Sequence, residues 1–80
     1  MKTAKMQPLT KRWLLGVVML KCCRWESDRF YTKIAEICAG INATSAMHRD
    51  ICYIYEQVQK GRDIVNMLHD YQKGKKVCNM

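Results

Sequence analysis

The chain has 80 residues, 49% of them hydrophobic, and a formal net charge of +7 from 14 Lys and Arg against 7 Asp and Glu. That length excludes a two-domain protein and any large α/β enzyme fold, while the apolar content excludes wholesale disorder. One Pro and four Gly argue against a sandwich or barrel built from many tight turns, and the excess of cations points to a polyanionic partner, with nucleic acid ahead of a membrane surface.

In chain order, residues 1–9 are polar and basic, contain Pro8, and read as a flexible basic arm. Residues 10–80 read as a single domain. Thr10 is placed to cap a first helix over about 11–23. In that helix Trp13, Val17 and Leu20 share a face, which predicts a core-facing stripe widened by Leu14 and Val18. The apolar run Trp13 to Leu20 has eight residues. About twenty are needed to span a bilayer, so no membrane is expected as a partner. No small-x-small cleavage site follows the run; Lys21-Cys22-Cys23-Arg24 comes instead, which argues against export.

Arg24 to Arg29 is a charged break holding Trp25, a residue placed to lid the core or to mediate dimerisation. Phe30-Tyr31-Thr32 is an aromatic and β-branched triplet that suits a short strand. Thr32 then caps a helix over 33–39 with Ile34, Ile37 and Cys38 inward. Gly40 is expected to end it in a left-handed conformation, and Asn42 to cap the next. From about 43 to 58, Met47, Ile51, Ile54 and Val58 form an i, i+4, i+7, i+11 stripe with Tyr55 beside it. Ser45, His48, Arg49, Cys52 and Glu56 occupy the other face, and Lys60-Gly61 ends the helix. The tail fits two patterns. Ile64, Val65, Met67, Leu68 and Tyr71 have helical spacing, while Val65, Met67, His69 and Tyr71 alternate as a strand, with a turn at Gln72-Lys73-Gly74-Lys75.

Five cysteines (Cys22, Cys23, Cys38, Cys52, Cys78) form neither a disulfide framework nor a metal-ligand spacing with His48 and His69. They read as reduced, which places the chain in the cytoplasm, and no metal or cofactor is expected. There is no Ser-His-Asp grammar, no Gly-rich phosphate loop and no apolar carboxylate pair, so the chain is not expected to be an enzyme.

The stretch Thr32 to Gln57 has the grammar of a helix-turn-helix: Ala35 where two helices cross, Gly40 in the turn, Ile41 as a plug between helices, then Asn42-Ala43-Thr44-Ser45-Ala46-Met47-His48-Arg49. It resembles the helix-turn-helix of winged bacterial and phage regulators of the MarR and IclR type. The fold class expected is mostly α, with a three-helix helix-turn-helix core. That core carries either a wing (a short strand near 30–32 and a C-terminal hairpin) or a fourth C-terminal helix. The resemblance implies a small transcriptional regulator that reads the major groove of double-stranded DNA with the helix over 43–58, and the small size without a ligand domain suggests a phage, plasmid or operon-specific one. Asn42, Thr44, Ser45, His48 and Arg49 are the candidate contacts on that helix, and Lys73, Lys75 and Lys76 the candidate phosphate grips of the tail. A homodimer is expected because specific binding commonly uses two half-sites, and a second regulatory protein is a candidate partner. Two rival readings remain: a helical protein-interaction module acting as inhibitor or adaptor of a host protein, for which six Met residues are suited, and a peripheral membrane-binding peptide using the first helix.

Overall fold

In the computed structural model, residues 7–78 are described. They form four helices: α1 (Pro8–Cys22), α2 (Ser27–Gly40), α3 (Ser45–Gln59) and α4 (Ile64–Gln72). Among the described residues there is no strand, so neither part of a wing forms. Phe30-Tyr31-Thr32 lies inside α2, because the ring of Phe30 stacks on that of Tyr55 at 4.0 Å between centroids and this packing overrides the β-preference of the triplet. The tail takes the fourth-helix alternative over 64–72. No helix of the described residues is long and apolar enough to cross a membrane.

Helix starts differ from the sequence expectations for local reasons. α1 begins two residues before Thr10, with Pro8 in its first turn, where the missing N–H costs nothing; the residues of the proposed arm before Gln7 lie outside the described residues. Ser27 and Asp28 open α2, so half of the charged break is helix. Asp28 there faces the positive end of the helix dipole. Thr44, not Asn42, caps α3: its hydroxyl accepts from the Met47 N–H at 3.1 Å. Asp63 caps α4 in the same way, accepting from Val65 N–H at 2.9 Å.

Three of the four helices end alike. After α2, the Ala43 N–H donates to Cys38 O and Asn42 N–H to Ala39 O. After α3, Arg62 N–H reaches Gln57 O and Gly61 N–H reaches Val58 O; after α4, Lys75 N–H reaches Asp70 O and Gly74 N–H reaches Tyr71 O. Each pair is the Schellman pattern, which needs a left-handed residue just past the helix. Gly61 (φ 94°) and Gly74 (φ 82°) fill two of these positions and Asn42 (φ 54°) the third. Gly40 is therefore not the left-handed residue. It is the last residue of α2, and the turn comes two positions later on an Asn, the non-glycine type that tolerates that region best.

α3 packs against all three other helices, and α1 against α4 most extensively. The core joins Leu15 and Met19 of α1, Phe30 and Ile34 of α2, Ile51, Ile54 and Tyr55 of α3, and Leu68 and Tyr71 of α4. Tyr55 Oη donates to Trp25 O at 2.6 Å, and Trp25 packs against the core under Arg29, so Trp25 acts as a lid. The expected core face of α1 is overturned. Trp13, Val17 and Leu20 are exposed, and the inward face is Leu15, Gly16, Met19 and Cys22. α4 packs on that side of α1, and the Gln72 side chain lies against Gly16, its Nε2 2.6 Å from where a Cβ would stand.

Candidate nucleic-acid interface

Except for Lys73, the residues proposed from the sequence fall into two neighbouring recesses around the N-terminal half of α3. The first, of about 300 Å³, is lined by Asn42, Thr44, Ser45 and His48 together with Ala35 and Cys38 of α2. It exists because the four-residue connection 41–44 turns the chain sharply enough to set the start of α3 beside the end of α2. Not every group in it is free. The Thr44 hydroxyl is spent on the cap, and the Asn42 carbonyl accepts from Lys11 Nζ at 2.7 Å. His48, expected to be exposed, is half-buried, with Nε2 3.8 Å from Cys52 Sγ. Burial pushes the Cys52 thiol up to about 11 and raises that of Cys38 as well. Neither thiol is an activated nucleophile, and among the described residues no His, Cys, Asp and Glu group is placed to hold a metal ion.

The second recess, of about 280 Å³, brings together Arg49 of α3, Lys75 and Lys76 beyond α4, and Arg12 of α1, around Ala46 and Asp50. The Schellman turn at Gly74 folds residues 75–78 back towards α3, and burial of Cys78 holds that segment down. Arg12 is positioned from below: its guanidinium donates to Tyr71 O at 3.1 Å and lies 5.1 Å from the Tyr71 ring centroid. Four cations and one carboxylate thus line the recess, and of the four, Arg12 and Arg49 act on the carboxylate. Burial raises the Asp50 carboxyl above its ordinary range, while Arg12 and Arg49 pull it back down. Lys75 Nζ also lies 3.9 Å from Asp70 Oδ1, an exposed pair of little energetic weight.

Lys73 does not join either recess; it caps the C-terminus of α4 and is exposed. Arg12 and Lys11 were missed by the sequence reading. Their only signal was a pair of adjacent cations at the start of α1, and nothing local says that α1 runs beside the start of α3. Chemically, the arrangement offers guanidinium and ammonium donors spaced around the positive end of a helix dipole, which suits phosphate oxygens. No family model, curated protein or solved structure matches this chain.

Proposed function

We propose that the protein binds double-stranded DNA and regulates transcription in the cytoplasm without enzymatic activity, using α2 and α3 as a helix-turn-helix and α3 as the reading helix. The observation that carries this is the convergence of Arg49, Lys75, Lys76 and Arg12 on one recess beside the first turns of α3. Backbone-gripping cations flank the one arginine on that helix able to bond a guanine edge through two N–H groups. Ser45 and the exposed edge of His48 extend the same surface across the neighbouring recess. Lys75 and Lys76 take the role the resemblance assigned to a wing, from the segment after α4. Net charge supplies the long-range attraction.

A mobility-shift series over rising salt, on random and upstream duplexes, tests the reading. Affinity should fall steeply with salt. Arg49→Ala should cost about 1–3 kcal/mol on a specific site and less on random DNA. Lys75→Ala should weaken both alike and lower the salt slope by roughly 0.9. Retention that ignores salt, or an Arg49→Ala variant that binds DNA as before yet loses a protein partner, would replace this reading with the interaction-module one.

A further inference from the structure

The apolar residues that α1 turns away from the core lie in one line. Leu9, Trp13, Val17 and Leu20 are 56, 55, 39 and 51% exposed, and their spacing of 4, 4 and 3 keeps them on one side of the helix. No charge interrupts that line. Lys11 is turned onto the Asn42 carbonyl and Arg12 onto Tyr71, leaving Lys21 at one end. The stripe exposes on the order of 400 Å², the size at which a monomer's largest apolar patch is commonly a binding surface.

We propose that this stripe is the seam of a homodimer, with two α1 helices packed antiparallel about a two-fold axis. The stripe is close to symmetric about a midpoint between Trp13 and Val17. An axis through that midpoint sets the large Trp13 of each copy against the small Val17 of the other, and brings Leu9 within one residue of the level of the partner copy's Leu20. That is the self-complementarity a two-fold interface requires. The two Lys21 residues are held at opposite ends, so no like charges meet at the centre. A lipid surface fits less well, because two of the three cations of α1 that would border an interfacial helix, Lys11 and Arg12, are engaged on the protein itself. Two copies bury roughly 800 Å² from these positions, below the ~1,200 Å² of a standard stable interface, so the dimer is of the weak, concentration-dependent kind. Arg12 and its recess lie on another side of α1 and stay open in each copy.

Sedimentation velocity of the full chain under reducing conditions, from micromolar to millimolar concentration, tests this without DNA. The expected result is a concentration-dependent rise from monomer to dimer that salt does not weaken. Trp13→Ser should weaken it by about tenfold or more, as for a central apolar anchor, and Leu20→Gln, at the end of the seam, by less, both with unchanged thermal melting in dilute solution. A wild-type chain that stays monomeric throughout, or two variants that dimerise like wild type, would overturn the proposal. So would a monomer that floats with phosphatidylserine vesicles in a Trp13-dependent way. A mobility shift on the same samples separates the two proposals: a monomer that retards DNA removes only the dimer, and a dimer that ignores DNA removes only the DNA reading.

Discussion

α1 and α3 have the same length and opposite legibility. In α3, Met47, Ile51, Ile54 and Tyr55 are buried, while Ser45, Arg49 and Glu56 are exposed, as their spacing in the sequence requires. In α1 the apolar residues surround the helix, and the inward face is Leu15, Met19 and Cys22, not the Trp13 stripe. The difference is one of information. A helix with one apolar face names its own inside, whereas a helix apolar all round leaves the choice to its neighbours. Here α4 makes the choice, packing against the side of α1 that carries Gly16 and laying the Gln72 side chain on it.

The strongest way to break that comparison is to truncate one residue on each helix. Ile51 is fully buried, so Ile51→Ala should cost about 2–5 kcal/mol, and Leu15→Ala the same. Trp13 is larger than either, yet Trp13→Ser should cost under about 1 kcal/mol, as for a surface position. Urea denaturation in dilute solution measures all three. A Trp13 loss as large as that at Ile51 would return the core face of α1 to the one its spacing favours.

Other parts of the chain divide in the same way. Gly61 and the 72–75 turn were readable because glycine after a periodic run is nearly sufficient for a left-handed cap. At the end of α2, local propensity pointed to Gly40 as the left-handed residue and to Asn42 as the cap of α3, whereas Asn42 takes the left-handed position. The hydrogen bonds from Asn42 and Ala43 back into α2, together with the Lys11 bond to the Asn42 carbonyl, fix the turn at the later residue, and the second of these is tertiary. Phe30-Tyr31-Thr32 failed for a similar reason, since the stacking partner of Phe30 is Tyr55. At the candidate interface, the residues on α3 were legible as a polar face. Their grouping with Lys75, Lys76 and Arg12 was not, because it depends on where α1 and the chain after α4 come to rest.

The two turn candidates can be told apart directly. Asn42→Val places a β-branched residue at φ 54° and should cost about 1–2 kcal/mol. Asn42→Gly should be neutral or slightly stabilising. Gly40 has open space where a Cβ would go and a helical conformation, so Gly40→Ala should raise stability by about 0.4–1 kcal/mol. Thermal melting checks all three, and a destabilised Gly40→Ala would move the left-handed position back by two residues.

Where α1 and α4 meet beneath the second recess, Tyr71 is fully buried and its hydroxyl has no partner among the described residues. Burial raises its ionisation far above the ordinary range, against an opposing pull from Arg12, so it stays protonated. An unsatisfied buried hydroxyl costs roughly 1–3 kcal/mol. Tyr71→Phe keeps the ring under Arg12 and removes that cost, so the melting temperature should rise. A clear loss of stability would mean that the hydroxyl has found a partner.

The smallest expected effect lies at Asp50, the one carboxylate inside the cationic recess. Its folded-state pKa is raised, chiefly by burial. The sign follows from linkage: the native state holds this proton more tightly than the unfolded chain does, so the group's contribution falls as pH rises from the ordinary carboxylate range through the raised folded value. Above that window the charged carboxylate costs the native state something, and Asp50→Asn should raise stability at neutral pH by less than about 1 kcal/mol while leaving stability at acid pH nearly unchanged. The same substitution removes a negative charge facing Arg49 and Arg12. On the DNA-binding reading it should tighten duplex binding by less than about tenfold, and more at low salt, where the charge is least screened. Acidification should tighten the wild type more than Asp50→Asn over the same window. If Asp50→Asn weakens DNA binding instead, the carboxylate is serving to orient the two arginines, and the recess is a built ion-pair network, not an open phosphate site.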